Sequence, residues 1–174
     1  MKTKNVRINL VVLFLIIIGI STRFFFFIKI PNFTAIGAIA LFSGAYFSNK
    51  RIAFVLPLAI LLLTDIFLGF HKTMLFVYVP FIFTILIGFA LRQNTKPILI
   101  LAGSLAGSVI FFLISNFGVW VTGMGISPTL SGVYIDGIPF FRYTIASDLM
   151  FNALFFSSAF FLFEKTSLVK TVNE

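Results

Sequence analysis

Apolar residues run along the chain in six stretches, separated by short clusters of charged and turn-forming residues: Ile8 to about Phe27, Phe33 to Phe47, Ile52 to Phe70, Thr73 to Leu91, Pro97 to Thr122, and about Arg142 to Phe163. Continuous apolarity over about 20 residues predicts helices that cross a bilayer, because a helix rises about 1.5 Å per residue and the hydrocarbon core is about 30 Å thick. The second stretch is the exception. Its 15 residues reach only about 22 Å, so it reads as a short span or a re-entrant segment. Pro57 and Pro80 fall inside stretches and predict local kinks, since they free the carbonyls of Ala53 and Phe76. Between the fifth and sixth stretches, residues Gly123 to Phe141 carry four glycines with Pro128 and Pro139, the pattern of a long loop that either covers a site or is a surface excursion. The expected architecture is therefore an all-α integral membrane protein, a bundle of six transmembrane helices forming a single domain over residues 1–174, with a lid-like loop over 123–141.

Composition agrees with that reading. Of 174 residues 60% are hydrophobic and 10% charged, against roughly 45–50% and about 25% in soluble domains, so too few polar side chains exist to cover a water-soluble core. The net charge of +8 does not point to nucleic acid, because the basic residues sit singly or in pairs at the ends of apolar runs rather than in a stripe. They report topology instead. With both termini cytoplasmic, Lys2, Lys4, Arg7, Lys50, Arg51, Arg92, Lys96, Lys165 and Lys170 lie inside, and Arg23, Lys29, Lys72 and Arg142 outside, nine against four of the 13 basic residues. That follows the positive-inside bias. A re-entrant second run would reverse the side of Lys50, Arg51 and everything after them, so a true span is preferred. The basic Met1 to Arg7 followed by Ile8 to Ile20 resembles a secretory signal, but no small-x-small site follows, which predicts an uncleaved first span.

Placed on these helices, the embedded polar residues gather in the outer half. Asp65 precedes the outer end of the third span, Asn116 and Trp120 share a face of the fifth at i, i+4, and Asp148 and Asn152 share a face of the sixth, which begins near Arg142. An ionised carboxylate in the bilayer costs about 2.5–3.5 kcal/mol even on the lenient insertion scale, so Asp65 and Asp148 must face the interior and have partners. Asp65, Asn116, Trp120, Arg142, Asp148 and Asn152 are the candidate substrate-binding residues. Four of them have a plainer reading: Asp65 paired with Lys72, Asp148 paired with Arg142, and Trp120 as an interfacial anchor. Asn32, after Pro31, reads as an N-cap of the second helix. His71 has no second imidazole or cysteine beside it, so no metal site is expected, and zero cysteines exclude disulfides and thiolate chemistry.

Small residues line two stretches: Ala35, Gly37, Ala38, Ala40, Gly44 and Ala45 in the second, and Ala102, Gly103, Ser104, Ala106, Gly107 and Ser108 in the fifth. Such surfaces allow close helix approach, within the bundle or to a partner. The abundant phenylalanine reads as mostly lipid-facing bulk. No zinc-protease, nucleophile-elbow or phosphate-loop motif occurs, so neither an enzyme nor a cofactor is expected.

One set of residues carries a resemblance. Pro31-Asn32-Phe33-Thr34, Gly37-Ala38, Gly44-Ala45, Asp65 with Gly69, Asn116-Phe117-Gly118-Val119-Trp120, Pro139-Phe140-Phe141-Arg142 and Asp148 resemble an uncharacterised family of small bacterial inner-membrane proteins. That family is similar to the substrate-binding S components of energy-coupling-factor (ECF) vitamin transporters. The resemblance implies an S-component-like bundle that takes a vitamin-like micronutrient from outside. It also implies docking of Ala35, Ala38, Gly44 and Ala45 on a transmembrane coupling protein with two ATPases. A related solitary cobalamin transporter ligates its substrate through a cysteine, and that chemistry cannot apply here. The rival expectation is a non-transporting scaffold of the cell envelope whose small-residue faces bind other membrane helices.

Overall fold

Six α-helices account for most of the described residues: α1 (Lys2–Phe26), α2 (Ile36–Tyr46), α3 (Lys50–Leu68), α4 (Met74–Ala90), α5 (Pro97–Val121) and α6 (Leu130–Ala159), with a short 3-10 turn at Leu91–Gln93 between α4 and α5. This computed structural model describes residues 2–26 and 30–161, with side chains from 9–25 and 30–161. Lys29, Lys165 and Lys170, and the expected end of the sixth stretch at Phe163, lie outside the described residues. Among the described residues three segments are long and apolar enough to cross a membrane: Lys50–Leu68, Met74–Gln93 and Pro97–Val121. Asn9–Phe25 and α2 are shorter apolar helices. Large apolar side chains such as Leu62, Leu63, Ile66 and Phe67 on α3 stand exposed on the outside of the bundle, a surface that lipid tolerates and water does not. The chain is built as a membrane protein.

The helix starts follow local chemistry. The Asn49 side chain accepts a 2.9 Å hydrogen bond from the Arg51 amide and caps α3, and Pro97 opens α5 where its missing N–H costs nothing. The sixth helix corrects the expectation most. It begins at Leu130, not near Arg142, with the Thr129 side chain accepting from the Gly132 amide at 3.1 Å. The connection after α5 is thus 122–129, and the long loop over 123–141 does not exist. Gly123, with a φ of 67°, turns the chain after α5, but Gly132 and Gly137 let the helix approach Ser127 and Asn116 closely, and Pro139 sits inside the helix, as neighbouring segments permit in membrane bundles.

The short second helix is the centre of the bundle. Every residue from Ile36 to Gly44 is buried, and α2 packs against α1, α3, α4, α5 and α6. Small residues make this possible. A Cβ on Gly44 would run into the Ile85 carbonyl and stand 2.9 Å from the Gly88 Cα, and a Cβ on Gly88 would meet the Leu41 carbonyl and stand 2.9 Å from the Gly44 Cα. The backbones of α2 and α4 therefore touch at this crossing. Arg92 closes the end of α2, donating from Nε to the Gly44 carbonyl at 2.8 Å and from Nη2 to the Phe47 carbonyl at 2.6 Å. At the other end the Ala35 amide donates to the Thr22 hydroxyl at 3.1 Å. Asn32 is no N-cap: Ala35 holds that position, and Asn32 turns the chain before it with a positive φ of 66°, a conformation asparagine tolerates.

Burial also corrects the docking surface. Ala35 and Ala38 are fully covered, Gly44 is buried against α4, and Ala45 is half-buried, so this small-residue run is spent on the chain's own helices. Phenylalanine is likewise not only lipid-facing. Phe42, Phe151, Phe155 and Phe156 belong to the core between α2 and α6, with Phe42 stacked on Tyr46 at 4.7 Å and edge-on to Phe156 at 5.4 Å.

Candidate functional site

The bundle has two ends. The links α1–α2, α3–α4 and α5–α6 lie at one, and the links α2–α3 and α4–α5, with Lys50, Arg51, Arg92 and Lys96, lie at the other. A cavity of about 490 Å³ opens at the first end, above the N-terminus of α2. Its wall on α5 uses Gly107, Phe111, Ser115, Asn116 and Val119, and on α6 Val133, Asp136, Gly137, Phe140, Thr144 and Asp148. Those spacings of three and four are one face of each helix. On α4 the face is Val77, Phe81 and Thr84.

Asp148 forms the floor. It is 6% exposed, and the Ser108 hydroxyl donates to its Oδ2 at 2.7 Å. The carboxylate presses on the backbone of α2 at Gly37, where a Cβ would collide with Oδ1, so any side chain there would displace the carboxylate. Beneath it a polar column continues between α5 and α6: the Asn152 amide donates to the Ser104 hydroxyl at 2.9 Å, and Asn152 Oδ1 is buried without a partner.

A second polar group flanks the wall. Arg23 lines the cavity and donates from Nη2 to Asp65 Oδ1 at 2.5 Å, while the Tyr78 hydroxyl donates to Asp65 Oδ2 at 2.8 Å. Both oxygens of Asp65 are thereby engaged, and Asp65 is only 1% exposed. Its partner is Arg23, not Lys72, because α1 packs on α3 along this edge and brings the guanidinium across. At the mouth, Asp136 accepts from the Ser127 hydroxyl at 2.7 Å and His71 Nδ1 lies 2.8 Å from the Thr73 hydroxyl.

Of the six residues singled out by sequence, Asn116 and Asp148 line the cavity. Asp65 stands behind its wall, reached through Arg23, and Asn152 lies under its floor, reached through Ser104 and Ser108. Trp120 is 40% exposed and packs on Phe117 at 5.8 Å, since Val119 at i+3 from Asn116, rather than Trp120 at i+4, continues the cavity face. Arg142 is on the opposite side of α6 from Asp148's row, donating to the Tyr143 hydroxyl at 2.9 Å and lying 4.7 Å over that ring, so it does not pair with Asp148. Sequence reasoning missed Thr84, Ser115, Asp136 and Thr144 as lining residues. The row of small and hydroxyl residues on α5 that runs through Ser104 and Ser108 marks Ser115; Asp136 was hidden by the loop expected over 123–141. Among the described residues no three His, Cys, Asp or Glu side chains gather as a metal set.

The chain belongs to a family described as a family of unknown function (DUF6580), whose model matches residues 3–170. No curated protein and no solved structure matches it.

Proposed function

We propose that the protein is a membrane-embedded substrate-binding subunit that captures a small, vitamin-like molecule from the outer side of a bacterial inner membrane for uptake, in the manner of an ECF S component. The observation that carries this reading is the cavity. Its volume of about 490 Å³ lies within the roughly 300–1,000 Å³ of small-molecule sites, and its lining combines apolar bulk with a few converging polar groups, as such sites do. Orientation follows from the basic residues. Lys50, Arg51, Arg92 and Lys96 cluster at the end away from the cavity, and the positive-inside bias turns that end to the cytoplasm. The chain then crosses six times, the second time through the short α2 and the non-helical segment before it, with both termini inside and the cavity facing out. The chain has no phosphate-binding loop, so energy for release inward would come from a separate coupling protein with ATPases, bound through exposed apolar faces rather than through the enclosed α2.

The test is direct. Protein in lipid nanodiscs is screened by thermal shift against a panel of vitamins and related micronutrients, and co-purified small molecules are sought by native mass spectrometry. A binder at 100 times its dissociation constant stabilises the fold by about 2.7 kcal/mol. Ser115→Trp, which fills the cavity from α5, is expected to abolish that shift while the helical circular dichroism is retained. A full panel without a binder and without a co-purified ligand would sink the proposal.

A further inference from the structure

We infer that the ligand of this cavity is an organic cation, an ammonium, amidinium or cationic heteroaromatic group on an apolar body, held at Asp148; this rests on the reading of the cavity as a small-molecule site. The titratable side chains on the wall are Arg23, His71, Asp136 and Asp148. Arg23 is committed to Asp65 in the one ion pair found among the described residues, so its charge is already matched. Asp136, at the mouth, is held by Ser127, and His71 by Thr73. Asp148 alone combines deep burial with the lack of a cationic neighbour, its hydrogen bond among the described residues coming from the neutral Ser108. A carboxylate in such a place is costly until a counter-charge arrives. Among the described residues no side chain supplies one, and Asp148 lines the empty volume.

The rest of the wall decides between an organic and an inorganic cation. Phe81 and Phe111, with ring centroids 5.3 Å apart, and Phe140 and Val77 surround the space above Asp148. Aromatic faces attract a weakly hydrated organic cation and accommodate its carbon skeleton, whereas a bare metal ion would leave nearly all of the roughly 490 Å³ unfilled. Gly37 completes the floor: with no side chain there, the Asp148 carboxylate packs directly on the backbone at the N-terminus of α2.

The experiment compares charge at constant shape. Wild-type protein in nanodiscs is titrated with phenethylamine, benzamidine and N-methylpyridinium, with their neutral counterparts phenethyl alcohol, benzamide and toluene, with phenylacetate, and with sodium and ammonium chloride. A metabolite library sorted into cations, neutral molecules and anions of matched size is screened in parallel. Organic cations are expected to bind and their neutral and anionic counterparts not to, and Asp148→Asn is expected to weaken cation binding by about 30-fold or more, as loss of a buried charge partner does. Because the wild-type comparison needs no variant, the inference stays testable if Asp148→Asn does not fold. Binding of neutral or anionic compounds as tightly as cations, or undiminished cation binding by folded Asp148→Asn, overturns the cation inference and leaves the small-molecule reading standing. Response to sodium alone overturns the organic class. Silence from every compound of every charge overturns both.

Discussion

Asp65 and Asp148 look alike in the sequence, as single carboxylates within apolar helices, yet the structure gives them opposite circumstances, and Asp65→Asn separates the two. In the native protein the Asp65 carboxylate is 1% exposed and bonded to Arg23 and Tyr78, while the Arg23 side chain is 13% exposed with Nε already unpartnered. The amide keeps the shape of the carboxylate and removes its charge. That leaves a buried guanidinium without compensation, which costs about 3–5 kcal/mol. Tyr78→Phe removes one hydrogen bond to the carboxylate and is expected to cost about 1–2 kcal/mol, between the value for charged bonds in soluble proteins and the lower average measured in membrane bundles. Replacing both charges, as Arg23→Met with Asp65→Leu, removes the desolvated pair altogether and is expected to recover most of the loss. The assay is reversible unfolding in mixed micelles with increasing denaturing detergent, followed by circular dichroism, for the two single variants and the double variant. Two results would refute the reasoning: Asp65→Asn within about 0.5 kcal/mol of the parent, the range of inert surface changes, or a double variant no more stable than Asp65→Asn. Ligand binding lost by Asp65→Asn at full stability would return Asp65 to the site itself.

Further changes probe the packing that holds the cavity open. Gly88→Ala pushes a methyl group against the Leu41 carbonyl and Gly44 Cα, and since backbone cannot rotate away it is expected to destabilise by about 1–3 kcal/mol or more in the same assay; parental stability would show that α2 and α4 do not touch there. Arg92→Met strands the carbonyls of Gly44 and Phe47 and is expected to cost about 2–3 kcal/mol, with Arg92→Lys failing to rescue because an ammonium lacks the planar fork that reaches both; full rescue by lysine counts against the capping role. Thr129→Ala removes the cap of α6 and is expected to lower stability by about 1 kcal/mol, with faster amide exchange confined to the first turn of α6; unchanged exchange there would mean the helix does not start at Leu130.

How far the sequence could be read depended on whether the signal was local. The apolar stretches over α3, α4 and α5 were readable within about two residues, because each is bounded by its own punctuation, Asn49 and Lys50, Thr73, or Pro97. Glycine and proline misled the reading of α6, because the same residues that break helices in water serve close packing in a bundle, as Gly137 does against Asn116. The Arg23 to Asp65 pair joins positions 42 apart and depends on which helices are neighbours, which no window of sequence shows. Asp148 and Asn116 could be found because an embedded polar residue is exceptional wherever it stands. The hydroxyls of Thr84 and Thr144 could not, since threonine also satisfies its own helix, here bonding the carbonyls of Pro80 and Phe140.

The shortness of α2, which looked at first like a defect in the pattern, accounts for the site. Eleven residues rise about 16 Å, against about 37 Å for the 25 residues of α5. Because α2 is the central helix and Arg92 pins its far end, the missing length falls at its N-terminal end. The chain there turns through Pro31 and Asn32 instead of continuing as helix, and the volume that further turns would fill is left to the cavity. The same interruption ends the helix beside Asp148, so the positive end of the α2 dipole faces the carboxylate across Gly37. That partial charge eases the burial of a carboxylate in the empty cavity without neutralising it. An embedded acid kept in this way is stable enough to wait for a cation and still short of one, the condition a binding site of this kind requires.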